Sequence, residues 1–307
     1  MNVIFMGTPD FASAALQALI DGGIAVSAVF TQPDKPKNRG MKLFPSPVKE
    51  LALQYDIPVY QPESMKDPSA EEIVRSLEPD LLITAAYGQI LPQRILSIPQ
   101  LGAINLHGSL LPLYRGASPV QSCILNGDTV TGVTVQYMSA RMDAGAVIDS
   151  VSTPIGENET AEELFDRLTI LGAGLLCRVV KAFRAGPLPA EEQNEALATY
   201  CRKLDRSMSP VNYEQSARMV VKHVCGLYPW PGATTELGGV TLKIAAALVA
   251  ERSCSAVPGA VVSAGKEGIA VAGGDGKAVL ITRLQPPGKK EMTAEAYLAG
   301  HKVMADG

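Results

Sequence analysis

Asn2-Val-Ile-Phe-Met6, running into Gly7-Thr-Pro-Asp10 and then Phe11-Ala-Ser-Ala-Ala15-Leu16-Gln-Ala-Leu19, is the stretch that decides the fold class. The apolar run fits a short strand buried on both faces, and the glycine marks a tight turn. Pro9 lies where a helix can begin, and Phe11, Ala12, Ala15, Leu16 and Leu19 recur along one helical face. A strand, a turn and an amphipathic helix in that order open a parallel sheet. Working outward, Ala25–Phe30, Leu81–Ala86, Ala103–His107 and Val133–Met138 are further short apolar runs, separated by stretches long enough for crossover helices. The expected architecture is α/β, a doubly wound and mostly parallel sheet.

Thr160-Ala-Glu-Glu163 has the form of a capping box, and Leu164, Leu168, Leu171 and Leu175 follow at helical spacing. A long helix is therefore expected to reach Ala185 and to stop at Gly186-Pro-Leu-Pro189. Ala190–Asp205 is polar with no clean period. After it the texture changes: a helix starting at Ser209-Pro210 should lead into strands around Thr234–Glu236, Val240–Ile244, Ala260–Ser263, Gly268–Val271 and Val279–Leu284, with the Gly/Pro density of a small β-barrel. The expected division is a first domain over 1–189, a linker over 190–205 and a second domain over 206–307. Charge supports the boundary: residues 1–203 carry 16 basic and 22 acidic groups, net −6, and residues 204–307 carry 11 and 9, net +2.

The 307 residues are 47% hydrophobic and 19% charged, enough apolar material for a full core and too little charge for a disordered chain. A formal net charge of −4 argues against a general nucleic-acid coat. The longest apolar stretches, Leu168–Cys177 and Leu242–Ala250, are too short to span a bilayer, Lys243 interrupts the second, and the first basic residue is Lys35; neither a membrane span nor an export signal is expected. Cys123, Cys177, Cys201, Cys225 and Cys254 form no CxxC or Cys/His cluster with zinc spacing, and are expected to be free thiols in a reducing cytoplasm. Gly7-Thr-Pro-Asp-Phe11 lacks the second and third glycines of a dinucleotide fingerprint, which weighs against nucleotide-cofactor binding.

The most informative segment for chemistry is Asn105-Leu-His-Gly-Ser-Leu-Leu-Pro-Leu-Tyr-Arg-Gly-Ala-Ser-Pro119. On a strand, Asn105 and His107 point to the same face, at the carboxyl end where open α/β sheets bind ligands. Taken alone the pair could be a structural hydrogen bond, or one side chain could donate to a carbonyl oxygen while the other handles a proton. Asp143 lies one helix and one strand further on, so a right-handed crossover can bring it beside His107, where a carboxylate would orient the imidazole; a turn residue before Gly145 is the competing reading. Between Lys35 and Lys49 stand five basic residues, Lys35, Lys37, Arg39, Lys42 and Lys49, and no acidic one, in a Pro/Gly-punctuated loop that is either a solvated surface or a phosphate-binding device.

Asn105-x-His107, the Ser109-Leu-Leu-Pro112 loop, Tyr114-Arg-Gly116, Pro119 and Asp143 together resemble the 10-formyltetrahydrofolate-dependent formyltransferase and hydrolase superfamily. Phe5-Met-Gly-Thr-Pro-Asp-Phe11, Gln32-Pro-Asp-Lys35 with Arg39-Gly40 and Pro45-Ser-Pro47, Ala86-Tyr-Gly88 and Pro229-Trp-Pro-Gly-Ala233 extend the likeness over nearly the whole chain, to the methionyl-tRNA formyltransferase family. The resemblance implies a Rossmann-like formyltransferase fold followed by an OB-like tRNA-binding domain, with Asn105, His107 and Asp143 catalytic and Ser109, Leu110, Leu111 and Pro112 lining the folate site. It implies 10-formyltetrahydrofolate as formyl donor without a metal, and a cytoplasmic, monomeric enzyme whose partner is initiator methionyl-tRNA. The acceptor stem would meet Lys35, Lys37, Arg39 and Lys42, and Arg202, Lys203, Arg206, Lys289 and Lys290 would add backbone contacts. Trp230 is expected to pack in the core rather than stack on a base. Around Arg206–Tyr213 the chain departs from the family pattern. A folate-dependent transferase acting on a small amine, such as a purine precursor, shares the same catalytic residues and is the alternative.

Overall fold

A computed structural model describes residues 1–37 and 42–305, together with the backbone but not the side chains of Lys37, Lys42, Glu251 and Arg252. The chain forms two compact units. The first comprises Met1–Gly116, Gly132–Thr153 and Asp166–Tyr200; the second comprises Ala117–Thr131, Pro154–Phe165 and Cys201–Gly307. This division departs from the expected boundary, because residues 190–200, read as a linker, belong to the first unit.

The main sheet has seven strands: β1 (Val3–Gly7), β2 (Val26–Phe30), β3 (Val59–Tyr60), β4 (Leu81–Ala85), β5 (Ala103–His107), β6 (Val130–Tyr137) and β7 (Val147–Pro154), in the order β7-β6-β5-β4-β1-β2-β3. β3, β2, β1, β4 and β5 pair in parallel, as expected for the first apolar runs. β6 runs antiparallel to β5. The expected right-handed parallel crossover into this strand is therefore corrected: β6 reverses direction. β3 is only two residues long and β7 alternates in burial, which is why neither forms a recognisable apolar run.

β1 and β4 are buried at every position, as central strands of a parallel sheet must be. Helix α1 (Asp10–Asp21) lays Phe11, Ala12, Ala15, Leu16 and Leu19 against the core. Gly7 allows this close approach, since a Cβ there would stand 2.5 Å from the Ala12 Cβ and 2.8 Å from Phe5. Strand order reverses beside β1, so its carboxyl end and that of β4 flank the crevice where such sheets bind ligands. Thr8 Oγ1 and Gln32 Nε2 donate to the Tyr87 carbonyl there, at 3.0 and 3.1 Å.

The Thr160 capping box forms as read: Thr160 N donates to Glu163 Oε2 at 2.9 Å and Glu163 N to Thr160 Oγ1 at 3.2 Å, and the long helix spans Ala161–Ala182 with a 3-10 turn to Ala185. In the second unit, the helix expected at Ser209-Pro210 starts later, at Ala217–Leu227, because Ser216 supplies the cap by accepting from Met219 N. Strands β8 (Ala233–Leu237), β9 (Val240–Ser253), β10 (Val261–Gly265), β11 (Gly268–Ala272) and β12 (Lys277–Gln285) form an antiparallel sheet in the order β8-β9-β12-β11-β10, with Met292–Thr293 on β12. Trp230 is 52% exposed, which corrects its expected place in the core. Among the described residues, no helix is long and apolar enough to cross a membrane.

Gly7→Ala should destabilise the first unit by about 1–3 kcal/mol through overpacking, read as a lower urea midpoint with little change in slope. An unchanged midpoint would show that the turn and α1 can separate at no cost.

Candidate active site at the carboxyl edge of the sheet

Asn105 and His107 share one face of β5, opposite Gln136 and Thr134 of β6. Thr84, the neighbour of Asn105 on β4, donates through Oγ1 to Asn105 Oδ1 at 2.7 Å. This fixes the amide: its oxygen is spent on Thr84, so the Nδ2 hydrogens are the groups Asn105 can offer to a ligand.

His107 is 6% exposed, and its Nε2 lies 2.9 Å from the Tyr114 carbonyl oxygen. A carbonyl can only accept, so Nε2 carries the hydrogen and Nδ1 is the nitrogen that faces Asp143. Asp143 Oδ1 stands 3.8 Å from Nδ1. That separation suits an ion pair with a protonated ring and is too long for a hydrogen bond, so a hydrogen on Nδ1 can still be given to a ligand oxygen. The other carboxylate oxygen, Oδ2, accepts from Gly116 N at 2.9 Å. The structure thus brings Asp143 to His107, reaching it through the loop after β6.

The Ser109–Pro112 segment is drawn tight by its own polar groups. Ser109 is fully buried and donates to the Leu113 carbonyl at 2.6 Å, while Thr134 Oγ1 donates to the Ser109 carbonyl at 2.7 Å and accepts from Leu111 N at 3.1 Å. The Ser109 hydroxyl shapes the loop, and half-buried Leu110, Leu111 and Pro112 are its ligand-sized surfaces. Toward the other side of β1, a cleft of about 530 Å³ is lined by Gln32, Lys35, Glu63, Lys66, Gly88 and Gln89 among others, and by none of Asn105, His107 or Asp143.

Of the basic loop, Lys35–Lys37 and Lys42–Phe44 form a two-stranded hairpin, and Arg39 lies outside the described residues. Lys35 Nζ donates to Gln32 Oε1. Lys49 is occupied at the base of the hairpin, where it meets Asp34 Oδ2 and Gln61 Oε1, each at 2.7 Å; it is a brace for the loop rather than a spare cation. The hydrogen bond from Lys49, and after it one from Gln61 Nε2 to Asp34 Oδ1 at 2.7 Å, hold the Asp34 carboxyl below its ordinary value.

Sequence reasoning passed over Thr84, Thr134 and Gln136, although Thr134 and Gln136, two apart in an apolar strand, are polar groups that had to find partners inside. It also passed over the 188–200 segment. Tyr137 Oη donates to the Leu188 carbonyl and accepts from Leu188 N, Thr199 receives Tyr114 N on its hydroxyl and Arg115 N on its carbonyl, and fully buried Arg115 meets Gln193, Glu195 and Tyr200. Glu195 also pairs with Arg141. Among the described residues, no group of three or more His, Cys, Asp and Glu side chains could hold a metal ion.

Residues 1–180 match the family model described as formyl transferase, and residues 203–302 match its C-terminal domain. The chain belongs to the formyl transferase family. This formyl transferase is 45% identical over 304 residues to a methionyl-tRNA formyltransferase of Moorella thermoacetica, covering 99% of this chain and 97% of that one. It is 47% identical over 306 residues to that of Macrococcus caseolyticus, covering 100% and 97%. Among solved structures, the sugar 3N-formyl transferase WlaRD, crystallised with dTDP and 5-N-formyl-THF, superposes with a TM-score of 0.71 at 17% identity, over 94% of this chain and 99% of that one. An N-formyltransferase from Helicobacter canadensis in complex with folinic acid and dTDP-3-aminofucose gives 0.70 at 17%, over 92% and 98%. These structural likenesses establish the formyl transferase fold.

Hydrogen bonds from Arg115 depress the Glu195 carboxyl below its ordinary 4.5. A carboxyl depressed in the folded state stabilises it above the unfolded value, and that contribution is lost as pH falls through the folded one. Glu195→Gln should therefore melt below wild type at pH 7, with the gap closing as pH drops below 4.5. A gap that persists into stronger acid would mean that the pair contributes nothing through its charge.

Proposed function

We propose that this chain transfers the formyl group of 10-formyltetrahydrofolate to the amino group of methionyl-initiator tRNA, giving N-formylmethionyl-tRNA for translation initiation. The observation that carries the reading is the buried His107 ring held between the Tyr114 carbonyl and the Asp143 carboxylate, beside an Asn105 amide oriented to donate. The end-to-end identity with methionyl-tRNA formyltransferases supplies the substrates.

The uncharged amine attacks the formyl carbon. The new C–N bond forms, the bond from that carbon to N10 of the folate breaks, and the formyl oxygen carries negative charge in between. Asn105 Nδ2 and a protonated His107 Nδ1 are the donors for that oxygen, and preorganised donors aimed at developing charge are the largest single source of such catalysis. Asp143 pairs with the ring in its protonated form and aligns it, receives the proton that the amine sheds, directly or through water, and that proton passes to N10 as the tetrahydrofolate leaves. Leu110, Leu111 and Pro112 offer the apolar wall for the folate ring system.

The tRNA reading rests on local charge. Lys35, Lys37 and Lys42 lie on the hairpin strands that flank 38–41, and Arg39 belongs to the segment between them, so this hairpin is the surface assigned to the acceptor stem. Arg202, Lys203, Arg206, Lys289 and Lys290 are exposed and assigned to the phosphate backbone, with binding that weakens as salt rises. The second unit is the tRNA-binding body in this reading, and the enzyme works as a cytoplasmic monomer.

The direct test is transfer of labelled formyl from 10-formyltetrahydrofolate to methionyl-initiator tRNA, with free methionine and a purine precursor as controls; labelling of the precursor and not the tRNA would replace this reading with the small-amine one. Asn105→Ala and His107→Ala should each lower kcat by about 10²–10³-fold with tRNA binding retained. Normal turnover in either variant removes that residue from catalysis. Arg39→Ala should raise KM for tRNA more than for folate; equal losses would contradict the hairpin assignment.

A further inference from the structure

Asp143 touches His107 from an unfavourable backbone position. Its φ is +50°, in the left-handed region that a side-chain-bearing residue adopts only when its surroundings hold it there. Two residues on, Gly145 runs so close to the Tyr137 carbonyl that a Cβ could not fit. The loop needs an outside hold, and Gln193, from the segment read as a linker, holds its backbone. Gln193 Nε2 donates to the Gly145 carbonyl at 2.7 Å and the Asp143 carbonyl at 2.8 Å, with Gln136 Oε1 at 3.0 Å as a third, longer partner. Its Oε1 accepts from Arg115 Nη2 at 2.8 Å and Nε at 3.1 Å. Arg115 is fully buried and is itself held by Glu195, with Nη2 to Oε1 at 2.9 Å and Nη1 to Oε2 at 3.2 Å.

The geometry points to Gln193 as the positioning residue that sets the distance between Asp143 and His107, acting through the Asp143 and Gly145 carbonyls and oriented by Arg115. This inference rests on the formyl transfer proposed above. The direction of the amide is not a free choice: a guanidinium can only donate, so the atom facing Arg115 is the oxygen, and the nitrogen must face the carbonyls. The carboxamide accepts at one end and donates two hydrogens at the other. A glutamate of the same length would keep the Arg115 contact but set an oxygen against main-chain oxygens, and an alanine would leave both sides unmet. The hold is applied to the loop backbone, at the Asp143 carbonyl carbon three bonds from the carboxylate carbon, so its loss would shift Asp143 without removing any group that touches substrate.

The test compares Gln193→Ala and Gln193→Glu, each alone and combined with Asp143→Ala, in steady-state formyl transfer to methionyl-tRNA by the full chain. Each single variant should lose about 100-fold in kcat, the scale on which a misplacement of about 1 Å acts, with KM for both substrates within about threefold of wild type. In the Asp143→Ala background the same substitutions should cost less than about threefold more, because the group they position is gone. Gln193→Glu is nearly isosteric and keeps a partner for Arg115, so it carries the test if Gln193→Ala fails to fold. A kcat within about threefold of wild type, a loss carried by KM, or the full loss repeated without Asp143 would each overturn the assignment. Wild type run alongside separates the two claims: failure of wild type to transfer formyl refutes the reaction and this inference with it, whereas an active wild type with indifferent variants refutes the inference alone.

Discussion

The hydrogen bond from His107 Nε2 to the Tyr114 carbonyl, 2.9 Å long, is the constraint around which the site is arranged. It decides which ring nitrogen carries a fixed hydrogen, and so which one faces Asp143 and the open side of the sheet. Its acceptor must be held as firmly as its donor. His107 is placed by the sheet, on a strand paired on both sides. Tyr114 is placed by a loop, and the loop is made rigid by short polar bonds: Ser109 to the Leu113 carbonyl, Thr134 to the Ser109 carbonyl, and Tyr114 N to Thr199. Loops on scaffolds carry function when they are tied down in this way.

Backbone strain maps the same region. Among the described residues, five other than glycine have positive φ: Asp56, Glu78, Ala86, Tyr114 and Asp143. Asp56 and Glu78 each stand two residues beyond a helix, at the ends of Pro47–Gln54 and Pro68–Ser76, where a left-handed residue commonly closes the last turn. The other three close no helix. Ala86 follows β4 at the crevice, Tyr114 supplies the carbonyl for His107, and Asp143 supplies the carboxylate. Their conformations cost energy that local packing does not require, and the bonds described above are what hold them.

Much of this was legible in the sequence, for a stated reason. Continuous burial makes β1 and β4 read as apolar runs, helical spacing exposes α1, and Thr160 and Glu163 announce the long helix because the capping box is chemistry confined to four residues. Asn105 and His107 sit on one face because a strand alternates, and their nearness to Asp143 was expected, though by the wrong route: the direction of β6 depends on its partners, and no local residue encodes it. Residues 190–205 read as a linker because they are polar and aperiodic. Gln193 and Glu195 are polar because they serve a buried arginine, and such pairing across the chain leaves no period. The basic loop was overcounted for the same reason, since nothing near Lys49 in sequence reveals that Asp34 and Gln61 will occupy it.

The buried arginine also explains why the hold on the Asp143 loop is neutral. A guanidinium removed from water must be surrounded by acceptors, and Arg115 is met by the Glu195 carboxylate, the Gln193 oxygen and the Tyr200 hydroxyl. Had Arg115 bonded the Asp143 carboxylate directly, it would compete with His107 for that carboxylate. Interposing an amide passes on position and withholds charge. Asp143 then spends one oxygen on the Gly116 N–H, a neutral donor, and keeps the other turned to the imidazole.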